Sequence, residues 1–160
     1  MTTIAWDGKI LAADRQRTNG NTCQLARKLF ICGDFVYGAT GMMADIPVIR
    51  RWLEGGAKFE ERPECDDSEG GDAGLVIRKV DLALFLLQGK RRYALIDLPG
   101  GPIATGSGVD FALAAMACGK GAREAVEVAS LFDAGTGRGV DYVVLSPMRE
   151  QRRGIRTRTR

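Results

Sequence analysis

Histidine is absent from the 160 residues. That absence excludes every nucleophilic scheme in which an imidazole activates serine or cysteine, and every histidine-ligated metal site. Hydrolytic chemistry in this chain must find another base. Long apolar runs are missing too. The longest, Leu82 to Leu87, is strand-sized and far short of the ~20 residues a membrane-spanning helix needs. The opening Met-Thr-Thr-Ile-Ala-Trp-Asp has neither the basic start nor the apolar stretch of a secretion signal, so a cytoplasmic protein is expected. Cys23, Cys32, Cys65 and Cys118 form no CxxC pair, which argues against zinc and reads as ordinary thiols in a reducing compartment. No Walker motif occurs either. Gly89-Lys90 and Gly119-Lys120 have Leu84 and Ala114 where the upstream glycine should stand.

What is present suits a soluble globular chain. A hydrophobic fraction of 45% and a charged fraction of 27% are ordinary, and the length fits one domain, taken as 1–148. The net charge of +3 owes much to the segment 149–160, where Arg149, Arg152, Arg153, Arg156, Arg158 and Arg160 crowd together. No aromatic is interleaved there to stack on bases, so a flexible solvated tail is expected rather than a nucleic-acid contact.

Thr2–Trp6 and Lys9–Ala13 read as strands around the tight-turn pair Asp7-Gly8. Asn19-Gly20-Asn21 marks a turn, and Leu25–Cys32 with Phe35–Ala39 reads as a second hairpin across Gly33-Asp34. Ile46, Ile49 and Leu53 recur at helical spacing, with Pro47 in the first turn and Asp45 near the cap. The acidic, glycine-rich stretch Gly55–Gly74 reads as an exposed loop. Strands are expected at Leu75–Val80, Ala83–Leu87, Tyr93–Ile96 and Ile103–Thr105. Two helices follow Gly108, with Phe111, Ala115 and Met116 inward on the first and Ala125, Val128, Ala129 and Phe132 inward on the second. The apolar run Val140–Leu145 is expected to be a central strand. This order of elements gives an α+β domain.

The chemistry starts at the N-terminus. Only Met1 precedes Thr2, and an aminopeptidase that removes Met before small residues would leave threonine first. A free terminal amine has a pKa of about 7.7–8.0, so one residue could supply both nucleophile and base. On the residues alone, several readings stay open further along. Asp14 and Lys28 could be a structural ion pair, and Gly106-Ser107-Gly108 a plain strand-to-helix turn. Gly135-Thr136-Gly137-Arg138-Gly139 could cradle phosphate, but such a loop should open a helix, and a strand follows here.

Taken together in order, these pieces resemble the β-type proteasome subunits and their bacterial relatives of the HslV type. Thr2-Thr3-Ile4 is similar to the mature family start, and Leu11-Ala12-Ala13-Asp14-Arg15 to its strand ending in aspartate. Gly20-Asn21-Thr22 resembles the following turn, and Arg27-Lys28-Leu29 the lysine segment. Thr40-Gly41-Met42-Met43-Ala44-Asp45 resembles the glycine-led helix start, and Gly106-Ser107-Gly108 the family's Gly-Ser-Gly. Asp133 with Thr136-Gly137-Arg138-Gly139-Val140 resembles its late aspartate, hydroxyl and glycines.

The resemblance implies a four-layer αββα sandwich, the N-terminal nucleophile hydrolase fold. It implies a threonine endopeptidase with no cofactor and no metal, built as a homo-oligomeric ring or stacked double ring. Such a ring would act on unfolded polypeptides, and a separate ATPase would have to supply any unfolding. Catalytic roles fall to Thr2, Asp14, Lys28, Gly41, Ser107, Asp133 and Thr136, and substrate contacts to Arg17, Thr18 and Met43. Ser107, Asp133 and Thr136 would orient the Thr2 amine, and the Gly41 amide would donate to the oxyanion. One departure stands out: Gly55–Gly74 is expected as a loop where relatives carry a second long helix. The rival readings are a catalytically silent ring subunit and a small-molecule amidase of the same fold.

Overall fold

Asp7 closes the first hairpin. Its Oδ1 accepts the amides of Lys9 at 2.9 Å and Ile10 at 2.7 Å, while its Oδ2 accepts Ala122 N at 2.8 Å from a later helix. Gly8 takes a φ of +96°, a turn conformation that favours glycine. The hairpin joins β1 (Thr3–Trp6) to β2 (Ile10–Asp14), and both strands are almost wholly buried. The structure, a computed structural model, describes residues 1–41, 43–65 and 71–147. The arginine-rich segment 149–160, Met42 and the loop residues Asp66, Asp67 and Gly70 lie outside the described residues.

Beyond this hairpin come β3 (Gln16–Asn19), β4 (Thr22–Leu25), β5 (Leu29–Cys32) and β6 (Phe35–Ala39). Then follow α1 (Ile46–Glu54), β7 (Gly71–Arg78), β8 (Leu84–Lys90), β9 (Arg92–Asp97) and β10 (Ile103–Gly106). The chain continues with α2 (Val109–Ala117), α3 (Ala122–Phe132) and β11 (Val140–Val144). Three antiparallel sheets result, ordered β10-β1-β2-β11, β5-β6-β7-β8-β9, and the small hairpin β3-β4.

Period-two alternation builds the layers. Ile4 and Trp6 of β1 and Leu11 and Ala13 of β2 meet Leu29, Val36, Leu75, Ile77 and Leu84 of the five-stranded sheet, forming the core between the sheets. On the outer face of the four-stranded sheet, Ala5, Ala12 and Ala104 pack against Ala112, Ala115, Ala122, Ala125, Val126 and Ala129 of α2 and α3. On the far face of the five-stranded sheet, Ile49, Trp52 and Leu53 of α1 pack on Tyr37, Val76, Phe85 and Leu87. The result is the α+β sandwich expected, helices outside two sheets.

Several expectations need correction. Leu25 and Leu29 belong to different strands, because the chain breaks at Ala26, whose amide turns back to Arg15 O at 2.8 Å. The turn expected at Asn19-Gly20-Asn21 is present, but it joins β3 to β4 in a hairpin that was not expected. Among the described residues the β11 strand is an edge, pairing only with β2; Val143 packs inward while Tyr142 and Val144 lie exposed, so its apolar run is not a sign of a central position. Phe111 and Phe132 stack on each other at 5.4 Å near the surface instead of facing the core. Their places on the inward stripe go to Ala112 and to Ala122 and Val126. Small residues let the helices approach the alanine-rich face of the sheet closely. Asp45 stands at the N-cap of α1 without a side-chain cap bond and instead accepts the Tyr93 hydroxyl at 2.7 Å. The expected loop holds a 3₁₀ turn at Phe59–Glu61 and a bridge from Glu64 to Arg92, and β7 already begins at Gly71.

Candidate active site

Where β2 ends, Asp14 is 1% exposed, and each of its carboxylate oxygens is doubly satisfied. Its Oδ1 accepts Thr3 N at 2.9 Å and Lys28 Nζ at 2.7 Å; Oδ2 accepts Gln16 N at 2.9 Å and Gly137 N at 3.2 Å. Lys28 stands just ahead of β5, so the ion pair joins the two large sheets. It too is buried. Burial pushes the Lys28 ammonium below the ordinary lysine range, and the hydrogen bond and charge of Asp14 only partly oppose this.

Thr2 lies immediately before β1, and its carbonyl extends the β1–β10 ladder by accepting Ser107 N at 2.7 Å. Gly106, paired with Thr3, has a φ of +100°, and a Cβ there would overlap the Thr2 carbonyl oxygen. The backbone must pass this close to hold Thr2 at the sheet's end. With Met1 attached, Thr2 Oγ1 donates to Met1 O at 2.7 Å, and Lys28 Nζ donates to the same oxygen at 3.4 Å. The threonine hydroxyl and the lysine thus converge on one carbonyl.

A second chain of polar groups meets Thr2 from the helix side. Thr2 N donates to Ser107 Oγ at 3.3 Å, and Ser107 Oγ donates to Asp133 Oδ2 at 2.6 Å. Asp133, at the end of α3, also accepts Thr136 Oγ1 at 2.6 Å and Gly135 N at 3.1 Å. Burial pushes its carboxyl up, but these hydrogen bonds and the nearby N-terminal ammonium together hold it below the usual carboxylate value. Thr136 reaches the Thr3 hydroxyl rather than the Thr2 nitrogen, a difference from the role expected for it.

Two clefts flank Thr2. One, of about 450 Å³, is lined by Thr2, Lys28, Gly41 and the three residues expected to touch substrate, Arg17, Thr18 and Met43. The other, of about 400 Å³, is lined by Thr2, Gly41, Asp72 and Ser107. Gly41 follows β6 at a φ of +78° and borders both. All ten sequence-derived candidates therefore gather around one point, Thr2 among them.

Neither a protein-family model nor a curated protein sequence matches the chain. Solved structures do. Eukaryotic HslV from Trypanosoma brucei superposes with a TM-score of 0.66 at 24% identity, over 91% of this chain and 98% of that one. Thiobacillus denitrificans BPH gives a TM-score of 0.63 at 21% identity over 91% and 98% of the two chains. BPH in complex with epoxomicin gives 0.60 at 22% identity, over 91% and 99%. The chain has the HslV fold.

Within that HslV fold, two residues at the site were not singled out from sequence. Thr3 donates its amide to Asp14, and its Oγ1 accepts Gly108 N at 3.1 Å. Gln16 is buried, and its side chain donates to Ala134 O at 2.8 Å, tying β3 to the turn after Asp133. Strand alternation puts Thr3 on the face opposite Ile4 and Trp6, where its burial under the helix layer is not announced, and nothing in the sequence marks Gln16. No helix among the described residues is long and apolar enough to cross a membrane.

Proposed function

We propose that the chain is a threonine-type endopeptidase subunit of a self-compartmentalising ring, with Thr2 as nucleophile after removal of Met1. The observation that carries this reading is the convergence of Thr2 Oγ1 and Lys28 Nζ on the Met1 carbonyl oxygen. Hydrolysis of the Met1–Thr2 bond takes that oxygen away and turns the Thr2 nitrogen into a free amine. The hydroxyl is left beside a buried cation that favours its ionised form.

The steps then balance on one residue. The Thr2 amine takes the hydroxyl proton, directly or through a water, as Oγ1 attacks the scissile carbonyl carbon. The Gly41 amide, which borders both clefts beside Thr2, would donate to the oxyanion of the tetrahedral species. The carbon–nitrogen bond breaks, the leaving amine takes the proton back from the Thr2 ammonium, and an ester on Thr2 remains. Water, deprotonated by the same amine, attacks that ester, and Oγ1 leaves and recovers its proton. Ser107 and Asp133 hold the amine in place. This chemistry calls for no cofactor.

Ring closure is part of the proposal: a chamber would confine the nucleophile to unfolded chains delivered to it, with any ATPase a separate protein. The test is an epoxyketone such as epoxomicin, which reacts with both the hydroxyl and the free amine of a terminal threonine. Intact-mass and peptide mapping should find one adduct on Thr2 of chains lacking Met1, and none in Thr2→Ala. No adduct on Met1-free wild-type chains would overturn the reading in favour of a catalytically silent ring subunit. Sedimentation of the same sample measures the ring.

A further inference from the structure

The larger cleft beside Thr2 is lined by Arg17, Arg27 and Lys28 and by no aspartate or glutamate. Lys28 is neutralised by Asp14 at 2.7 Å. Arg17 and Arg27 are exposed and make no ion pair with a described carboxylate. Across Thr2, the smaller cleft is lined by Asp72, whose Oδ1 accepts Gln88 Nε2 at 3.2 Å. The two sides of the nucleophile therefore differ in sign.

We infer that the larger cleft selects an acidic side chain, so that the enzyme cleaves polypeptides at a fixed distance from aspartate or glutamate through Arg17 and Arg27. This rests on the endopeptidase reading above. A guanidinium without a carboxylate of its own gains a charge-assisted hydrogen bond when a substrate carboxylate enters, and a lysine there would meet two like charges. Both arginines are solvated, so the discrimination is modest, about threefold for glutamate over glutamine, and it shrinks as salt screens it. Thr18 and Met43 line the same cleft and shape it without adding charge.

The experiment incubates Met1-free protein with a synthetic peptide library randomised at single positions and maps the cleavage sites by mass spectrometry. Ratios are read within one digest, so a change in overall rate does not disturb them. Expected is an enrichment of Asp and Glu over Asn and Gln, about threefold, at one position relative to the scissile bond. The double variant Arg17→Glu/Arg27→Glu should invert it toward Lys and Arg, and raising ionic strength from about 0.05 M to about 0.5 M should weaken it. Thr2-dependent cleavage without acidic enrichment, or with an enrichment the double variant leaves intact, overturns the inference and leaves the endopeptidase reading standing. No Thr2-dependent cleavage of any peptide overturns both.

Discussion

Asp14 and Lys28 meet at 2.7 Å although one ends a strand of the first sheet and the other precedes the edge strand of the second. The carboxylate has three backbone amides besides the lysine, whereas among the described residues the ammonium has, besides Asp14, only the Met1 carbonyl. The pair is therefore asymmetric. Asp14 is held by the fold, and Lys28 is held mainly by Asp14.

That asymmetry predicts unequal costs. Asp14→Ala leaves a buried ammonium and three amides without their acceptor, and should lose about 3–5 kcal/mol of stability. Lys28→Met keeps the three amide bonds to Asp14 and fills similar volume, so it should lose clearly less. Urea unfolding of Met1-free protein measures both. Equal losses would contradict the unequal anchoring. Lys28→Met should also abolish the epoxyketone adduct while the chain stays folded, separating chemistry from stability.

Asp133 gives a pH prediction. Its folded pKa lies below the ordinary carboxylate value, so its ionised form is favoured by folding. The contribution is fully present above the unfolded value of ~3.9 and is lost as pH falls through the lower folded value. Melting temperature against acid pH should fall less steeply in Asp133→Asn than in wild type, and only in that window. Parallel curves would mean that Ser107 and Thr136 do not favour the charged form.

The sheets were largely legible from sequence because tight turns at Asp7-Gly8 and Gly33-Asp34 fix register locally. The site residues were legible only as a set, since Thr2, Lys28, Ser107 and Asp133 lie on four separate segments that tertiary packing joins. What could not be read came from context. The β3-β4 hairpin buries little, with every residue of Thr22–Leu25 exposed, so no apolar alternation announces it. An edge strand such as β11 carries as many apolar residues as a central one, and composition cannot tell them apart. Phe132 looks like a core residue by type, yet α3 faces its sheet with alanines.

The helix faces turn that last point into a test. Ala125 is fully buried against the four-stranded sheet, so Ala125→Leu should cost about 1–3 kcal/mol by overpacking. Phe132, 66% exposed, makes its ring contact with Phe111 only, so Phe132→Ser should change stability by about 1 kcal/mol or less. Chemical denaturation of the two variants ranks them. The opposite order would return Phe132 to the core stripe expected from sequence.

Gly106 carries the sharpest geometric demand. At a φ of +100° it pairs with Thr3, and a methyl group there would occupy the space of the Thr2 carbonyl oxygen. Gly106→Ala must therefore either strain the backbone or push Thr2 off the end of the ladder, where Ser107 N now holds it at 2.7 Å. Strain alone should cost about 1–3 kcal/mol. Displacement should show differently, as loss of the Thr2 adduct with a smaller stability penalty, because the Ser107–Asp133 support would no longer face the amine. Measuring adduct yield and urea midpoint on the same Met1-free sample distinguishes the two. A variant that keeps both would mean the approach of Gly106 to Thr2 is not what positions the nucleophile.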